Sequence, residues 1–285
     1  MQVFLNGQII KEEDAKISIS DLSYQFGYGL FETIRCEKGI PVFLEDHYRR
    51  LTHSAKEIGM PFPVEIDEIK SWVKDILQKN NLQNARLKII ISKRMESGGE
   101  KFNVLITAMP LDSLPQSYSL LSYKLGRDFN SISFKHKTTS RADSYFAYKQ
   151  AIESGFNDVI YLNEKNELIE CSRANIFLLM EDKIITSLLE TGILSGVTRS
   201  KVLEIAKKDS IPIEEKNINS LFLKVAKGAF ITNAIVGIMP VSKIKLEDKE
   251  YSFQTGLQII NFKNAYRQKL EEYLKRKNSE LVSRS

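Results

Sequence analysis

Residues 134–151 read FKHKTTSRADSYFAYKQA and place Lys135 and Lys137 directly before hydroxyl residues and a helical pattern. The stretch predicts the edge of a strand that runs into an amphipathic helix. A strand would put both lysines on the same face, so geometry alone does not choose between them. Two interpretations are open: a solvated basic turn, or a lysine amine that acts as a covalent catalyst.

The composition is that of an ordinary globular protein. With 42% hydrophobic and 27% charged residues, a chain of 285 residues can bury a core, in one large domain or two small ones. The net charge of +5 is spread along the chain, which argues against a nucleic-acid partner. No stretch has the length and apolar character of a membrane span, and no signal peptide is recognisable. We therefore expect a cytoplasmic protein that binds neither nucleic acid nor membrane.

The two cysteines, Cys36 and Cys171, are too few and too far apart to indicate a disulfide framework. No Cys or His spacing is typical of a metal site, so we expect no metal. A lone histidine such as His47 is no metal site, and we assign it to packing or to a helix surface.

The order of strand and helix patterns predicts a mixed α/β chain with two domains. Residues 1–109 are expected to form a small α+β domain with an antiparallel sheet, and residues 110–123 an inter-domain connection. Residues 124–285 are expected to form a larger mixed α/β domain. It ends in a charged helix, RQKLEEYLKRKNSELVSRS (267–285), which we expect to be frayed and solvated.

Three further features are ambiguous by themselves. Gly196 and Thr198 in SGVTR suggest a phosphate-binding nest at a helix N-terminus, although capping by Thr198 is an alternative. Arg35 in GLFETIR could bind phosphate through its guanidinium or be a surface arginine. Glu170 at the end of NELIE could be solvated, or could hold a pyridine nitrogen protonated beside a carbonyl-reactive lysine.

Six segments together resemble the successive motifs of class IV (fold-type IV) pyridoxal-phosphate enzymes. They are QFGYGLFETIR (25–35), PVFLEDHYRRL (41–51), HKTTSR (136–141), NELIECSRANIF (166–177), LETGILSGVTR (189–199) and FITNAIVGIMPV (230–241). This family includes branched-chain aminotransferases, D-amino-acid aminotransferases and 4-amino-4-deoxychorismate lyases. The resemblance runs from about Phe4 to Ile244 and implies the two-domain fold of the D-amino-acid aminotransferase type.

The resemblance also implies a role for individual residues. Lys137 in KTTSR would carry pyridoxal 5'-phosphate as a Schiff base, Arg35 would bind the cofactor phosphate, and Glu170 would pair with the pyridine nitrogen. Four further residues match phosphate-binding residues of the family in two loops. They are Val197 and Thr198 in the first loop and Asn233 and Ala234 in the second. Transaminases of the family often have Thr where this chain has Ala234, so only backbone N–H groups remain at that position.

The substrate is less clearly indicated. LETGIL and TNAIVGIMPV look most like the lyase of folate biosynthesis, which converts 4-amino-4-deoxychorismate into 4-aminobenzoate and pyruvate. An amino-acid transaminase for branched-chain or D-amino acids, using 2-oxoglutarate, is the alternative. A non-catalytic cofactor-binding protein on the same fold is a more remote one, because a degenerate member would be expected to lose one of its key residues.

In the family, the loop at this position usually helps to bind the substrate carboxylate. The loop of this chain, SKRMESGGEK (92–101), departs from the family pattern. Lys93 and Arg94 are our candidates for that contact, with ordinary loop charges as the alternative. Tyr28 could line the substrate pocket or merely pack. The resemblance further implies a homodimer.

Overall fold

The computed structural model describes residues 1–124 and 131–282, which divide into two compact units. The first unit contains Met1–Ser113, His136–Arg141 and Leu270–Ser285, and the second contains Leu114–Lys135 and Ala142–Lys269. The predicted domain boundaries, 1–109 and 124–285, divide the chain only once. The structure groups two later segments with the N-terminal unit. Of the predicted larger domain, residues 125–130 and 283–285 lie outside the described residues.

The first unit contains one antiparallel sheet of six strands, in the order β2-β1-β6-β5-β3-β4. The strands are β1 (Gln2–Leu5), β2 (Gln8–Lys11), β3 (Gly29–Glu37), β4 (Ile40–Pro41), β5 (Ala85–Glu96) and β6 (Gly99–Pro110). The helices are α1 (Leu22–Phe26), α2 (Leu44–Glu57) and α3 (Ile66–Lys79). The dipeptides Asn6-Gly7 and Lys38-Gly39 predict tight turns between strands, and the structure has these turns, in which all four residues have positive φ. The antiparallel sheet predicted for this part of the chain is confirmed.

One apolar core holds the first unit together. Helix α3 directs Ile69, Val73 and Ile76 into it, at the spacing that keeps residues on one helix face. Trp72 on the same helix stacks on Phe4 of β1, with 4.3 Å between ring centroids. Trp72 is the only tryptophan of the chain, so its fluorescence reports on this unit.

The second unit contains a mixed sheet of ten strands. The strands are β7 (Tyr118–Lys124), β8 (Asp158–Leu162), β9 (Glu167–Cys171), β10 (Asn175–Leu179), β11 (Ile184–Thr186), β12 (Ile213–Glu215), β13 (Ile218–Asn219), β14 (Gly228–Asn233), β15 (Gly237–Leu246) and β16 (Lys249–Ser252). Their order is β12-β11-β10-β14-β15-β7-β8-β9-β13, with β16 on β15. Strand β7 pairs in parallel with β8 and with β15, and β11 with β12, while the other pairs are antiparallel. The helices are α4 (Ile132–Lys135), α5 (Ala142–Glu153), α6 (Val197–Lys208) and α7 (Leu257–Val282).

The apolar segments AFITNAIVGIMPVSKI (229–244) and ANIFLLMEDKIITS (174–187) each predict a single strand, and both predictions were wrong. The first segment divides between β14 and β15, which pair as a hairpin around a turn after Asn233. Residues 174–187 likewise contain two antiparallel strands, β10 and β11. In both cases apolar residues continue through the turn, so the hydrophobic pattern alone does not mark it. Among the described residues, no helix has the combination of length and apolar character needed to cross a membrane.

The last part of α7 is anchored in the first unit, so the prediction of a frayed, solvated helix was wrong. Tyr273 and Leu274 are buried. Helix α2 begins after Phe43, whose φ is positive and whose side chain provides no cap. The Tyr273 hydroxyl accepts the backbone N–H of Leu44 over 3.3 Å and donates to Glu45 over 2.8 Å. A tyrosine from the C-terminal helix therefore satisfies an N–H group at the start of α2.

Tyr273→Phe is expected to destabilise the first unit by about 1–2 kcal/mol, because the Leu44 N–H loses its acceptor and Glu45 loses a donor. The measurement is the urea midpoint followed by Trp72 fluorescence. Tyr24→Phe is the matched control, because Tyr24 is 75% exposed. Equal midpoints for the two variants would contradict the capping role.

Candidate active site

The segment that carries Lys137 is fixed to the start of β3. The amide of Phe31 donates to the Lys137 carbonyl over 2.9 Å, and the amide of Thr139 donates to the Gly29 carbonyl over 2.9 Å. The Thr139 hydroxyl adds a bond of 2.8 Å to the Gly27 carbonyl. The Lys137 amine lies 4.5 Å from the centroid of the Phe31 ring. The Lys137 carbonyl and the residues that follow it are therefore bound to the start of β3, and the Lys137 amine lies over an aromatic ring.

Lys135 belongs to a different element. The chain is helical from Ile132 to Lys135, in the second unit, and Lys135 is exposed, whereas Lys137 is half-buried. The prediction that a strand would place both lysines on one face was wrong, because α4 continues up to Lys135. Of the two amines, the structure fixes that of Lys137 against β3.

A buried ionic cluster connects β3 with α2. Glu32 accepts hydrogen bonds from Arg50 Nε over 2.8 Å and Arg50 Nη2 over 2.6 Å, and His47 Nδ1 lies 2.7 Å from its second oxygen. Burial raises the pKa of Glu32, but the charges of Arg50 and His47 outweigh this effect and lower the pKa to about 2. Glu32 is therefore ionised near neutral pH, and His47 must donate through Nδ1.

Lys137 is within electrostatic reach of this cluster. Burial lowers the pKa of His47, Glu32 opposes that effect, and the positive charges of Arg50 and Lys137 reinforce it. His47 was predicted to pack in the interior or to lie on a helix surface, and the structure shows that it is buried. The sequence signal that we missed is the three-residue spacing of His47 and Arg50, which puts both on one face of α2.

Glu32→Gln is expected to lower the unfolding free energy near pH 7 by about 3 kcal/mol, because Arg50 remains buried without its carboxylate. The folded pKa of Glu32 is about 2 and its ordinary value is 4.5. The carboxylate therefore stabilises the fold above its ordinary pKa, and this contribution is lost as the pH falls towards the folded value. Urea unfolding should show that the unfolding free energies of wild type and variant approach each other as the pH is lowered into the acid range. The control is Glu57→Gln, an exposed carboxylate of α2; a gap independent of pH would contradict this account.

Arg35 lies farther along β3. Its Nε pairs with Glu37 over 2.6 Å, and its side chain is half-buried. It is four residues from Phe31, which corresponds to roughly 13 Å along an extended strand. The contact between Arg35 and a cofactor phosphate therefore stays a prediction.

The three residues predicted to contact substrate, Tyr28, Lys93 and Arg94, are hydrogen-bonded inside the first unit. Their partners are the Ile58 carbonyl for Tyr28, Glu100 at 2.6 Å for Lys93 and Glu96 at 2.5 Å for Arg94. Tyr28 also packs against the apolar core. These contacts give each side chain a structural role, and a role in substrate binding stays a prediction.

In the second unit, Glu170 is held by a loop amide and by an asparagine. The backbone N–H of Leu194 donates to Glu170 Oε2 over 3.1 Å. Asn175 Nδ2 lies 3.4 Å from the same oxygen and donates to the Leu194 carbonyl over 3.0 Å. Asn175 lies in the SRANIF segment, but the sequence does not reveal that it orients Glu170. The carboxylate is fixed and half-buried, as is required of a group that keeps a ring nitrogen protonated.

Helix α6 begins at Val197, with Gly196 as its cap residue and no side-chain cap. Thr198 is the second helical residue and is buried, so the alternative of capping by Thr198 was wrong. A Cβ atom at Gly196 would lie 2.1 Å from Asn175 Oδ1, so this position requires glycine. The first turn presents backbone N–H groups at the positive end of the helix dipole, which is the donor set that a phosphate needs.

Asn233 shapes the turn between β14 and β15. Its Oδ1 accepts the backbone N–H groups of Ile235 and Val236, each over 2.9 Å. Ala234 is half-buried in the same turn. The side chain of Asn233 therefore orders the backbone, and the phosphate contacts of Asn233 and Ala234 stay predictions.

Comparisons with known proteins agree with these features. The family model described as amino-transferase class IV matches residues 29–244. The chain is 28% identical to aminodeoxychorismate lyase of Bacillus subtilis over 264 residues, covering 89% of each chain. It is 27% identical to D-alanine aminotransferase of Staphylococcus epidermidis, covering 87% of this chain and 90% of the relative. The solved branched-chain aminotransferase of Thermoproteus uzoniensis with norvaline is 28% identical, with a TM-score of 0.84, covering 96% of this chain and 97% of that one.

Proposed function

Since the chain belongs to the class IV aminotransferase family, and is a pyridoxal-phosphate-dependent enzyme, we propose that it is a 4-amino-4-deoxychorismate lyase. Its products would be 4-aminobenzoate and pyruvate. The membership of an enzyme family also removes support from the alternative of a non-catalytic binding protein. The observation that carries the catalytic assignment is the fixed position of Lys137 on β3, with its amine over Phe31.

The donor set of each unit fits the cofactor. Pyridoxal phosphate supplies an aldehyde to which an amine can attach, and a ring that accepts electrons from the substrate. Lys137 Nζ would bind the aldehyde and, once displaced by the substrate amine, would take a proton from the carbon that bears this amine and return it. The Glu170 carboxylate, one oxygen of which is held by the Leu194 amide, would accept the ring N–H and keep that nitrogen protonated. The backbone N–H of Val197 and the N–H and hydroxyl of Thr198 would bind the phosphate.

Two guanidinium groups of the first unit are candidates for a further phosphate contact. The sequence resemblance favours Arg35, whose Nε pairs with Glu37. Arg50 is the second candidate. It pairs with Glu32 in the ionic cluster that also contains His47, and the charge of Lys137 contributes to the lowered pKa of that histidine.

We expect Arg50→Met to raise the dissociation constant of pyridoxal phosphate roughly tenfold or more, the effect of losing a charged hydrogen bond. Arg35→Met should leave that constant nearly unchanged. Spectrophotometric titration of cofactor-free protein measures both. Glu32→Gln is the control, because it disturbs the same cluster and keeps the guanidinium. The opposite ranking would support Arg35, the residue that the sequence resemblance favours, and would contradict a phosphate contact of Arg50.

The preference for the lyase is supported by the segments LETGIL and TNAIVGIMPV, which look more like lyase sequences than like branched-chain aminotransferases. Sequence identity does not distinguish the two reactions, because a lyase and a D-alanine aminotransferase are 28% and 27% identical to this chain. The alternative is therefore an amino-acid transaminase for branched-chain or D-amino acids. We further propose a cytoplasmic homodimer that serves folate biosynthesis, and sedimentation of the active species tests the dimer.

One preparation can separate the two reactions. The lyase would release 4-aminobenzoate and pyruvate from 4-amino-4-deoxychorismate with no keto acid added, because elimination leaves the cofactor ready for the next turnover. The transaminase would convert D- or L-amino acids only with an acceptor such as 2-oxoglutarate. The Lys137→Ala protein controls for contaminating enzymes. Keto-acid-dependent exchange without 4-aminobenzoate would overturn the lyase.

A further inference from the structure

Thr232 carries a buried hydroxyl near the end of β14, one residue before Asn233. Within residues 1–124 and 131–282, this hydroxyl has no hydrogen-bond partner. A buried hydroxyl that makes no hydrogen bond destabilises a fold, and native proteins contain few of them. Thr232 therefore holds a donor in reserve that the described protein groups do not use.

The neighbours of Thr232 place it beside the start of α6. Its cross-strand neighbours are Asn175 on β10 and Ile238 on β15, and Ile238 offers no polar side-chain atom. Neighbours across an antiparallel pair project to the same face of the sheet, so the side chains of Thr232 and Asn175 are adjacent. Asn175 Nδ2 donates to the Leu194 carbonyl over 3.0 Å, and Asn175 Oδ1 would lie 2.1 Å from a Cβ atom at Gly196. One side chain therefore separates Thr232 from the N-terminus of α6, a helix that contacts β14.

The second loop that would bind the cofactor phosphate follows Thr232 directly, and it has few donors to spare. Ala234 has no side-chain donor, and the N–H groups of Ile235 and Val236 donate to Asn233 Oδ1. A phosphate dianion accepts several hydrogen bonds, and bonds to a charged acceptor are stronger than those between neutral groups. The Thr232 hydroxyl is the donor that would supplement the N–H groups of α6.

We propose that the Thr232 hydroxyl donates a hydrogen bond to the phosphate of pyridoxal phosphate. A bound phosphate would satisfy the buried hydroxyl, which explains why the fold keeps a polar group there. The inference rests on the phosphate position given under the proposed function, at the first turn of α6. It does not depend on the reaction, so it applies equally to a lyase and to a transaminase.

The test compares pyridoxal phosphate with pyridoxal, which differ only by the phosphate, in titrations of cofactor-free protein. Thr232→Val has nearly the same shape and lacks the hydroxyl. We expect it to raise the dissociation constant of pyridoxal phosphate roughly tenfold or more, the effect of one charge-assisted bond, and to leave that of pyridoxal unchanged. Thr232→Ser keeps the hydroxyl and should bind both compounds like the wild type.

Stability supplies a second measurement, which a merely structural hydroxyl would change in the opposite way. Thr232→Val should not lower the unfolding free energy of the cofactor-free protein, because no bond to another protein group is lost. The matched control is Thr186→Val on β11, a buried threonine whose hydroxyl donates to the Ile176 carbonyl over 2.7 Å. This control should be destabilised and should keep the wild-type ratio of the two dissociation constants. Urea unfolding followed by circular dichroism measures both variants.

Two results would overturn the proposal: an unchanged ratio of the two dissociation constants in Thr232→Val, or an equal loss for pyridoxal and pyridoxal phosphate. Thr198→Val separates this inference from its premise. A loss specific to the phosphate in Thr198→Val, with none in Thr232→Val, would keep the phosphate at α6 and remove Thr232 alone. No loss in either variant would overturn both. Failure of the lyase assay together with the expected loss in Thr232→Val would remove the proposed reaction and keep Thr232.

Discussion

Lys137→Ala is expected to lower turnover by about 10⁴-fold or more, because one amine both binds the cofactor and moves the proton. The variant should also lose the covalent cofactor adduct that borohydride reduction fixes in the wild type. Peptide mass spectrometry after reduction measures the adduct directly. The backbone bonds of Lys137 to β3 do not involve its side chain, so the variant should remain folded.

Lys135→Ala is the matched control. It removes an identical amine two residues away, from the exposed end of α4. We expect full activity and an unchanged adduct on Lys137. An adduct on Lys135 in the wild type would reverse the assignment, and so would an adduct that persists in Lys137→Ala.

Glu170→Gln is expected to lower turnover by roughly 10²–10³-fold while the covalent adduct on Lys137 is retained. The neutral amide has the same shape, but it no longer stabilises positive charge on a ring nitrogen. The measurements are the turnover rate and the reduced adduct on the same preparation. Retained binding together with lost turnover separates a catalytic effect from unfolding.

Glu167→Gln supplies the control on the same strand. Glu167 is half-buried like Glu170, and its carboxylate accepts from Asn163 over 2.7 Å. An equal loss of activity in Glu167→Gln and Glu170→Gln would mean that any Glu-to-Gln change on β9 disturbs the enzyme, and the effect could not be assigned to the Glu170 charge. Asn175→Ala should give a smaller loss than Glu170→Gln, because the carboxylate stays and loses only part of its orientation.

The sequence predicts best those features whose cause is local. The turns at Asn6-Gly7 and Lys38-Gly39 follow from residues that adopt positive φ, and α3 follows from its apolar spacing. The anchoring of α7 could not be predicted, because Tyr273 and Glu45 are 228 residues apart. No local pattern reports contacts at that separation.

The sequence also does not reveal which partners its charged residues have. A strand arginine such as Arg35 and a helical arginine such as Arg50 are equivalent in a sequence until their partners are known. The pairing of Arg50 with a buried Glu32 depends on the way α2 packs on β3.

The attachment of Lys137 to β3 has a consequence for the order in which the chain folds. The bond between Thr139 and Gly27 closes a loop of 112 residues, whereas most pairs of the first sheet are hairpins. Long loops close at greater entropic cost, so they form after local contacts. During synthesis the N-terminal hairpins leave the ribosome well before His136–Arg141. We therefore expect the hairpins of this sheet to form before the reactive lysine is fixed, so that a newly made chain acquires its chemistry only after its local structure has formed.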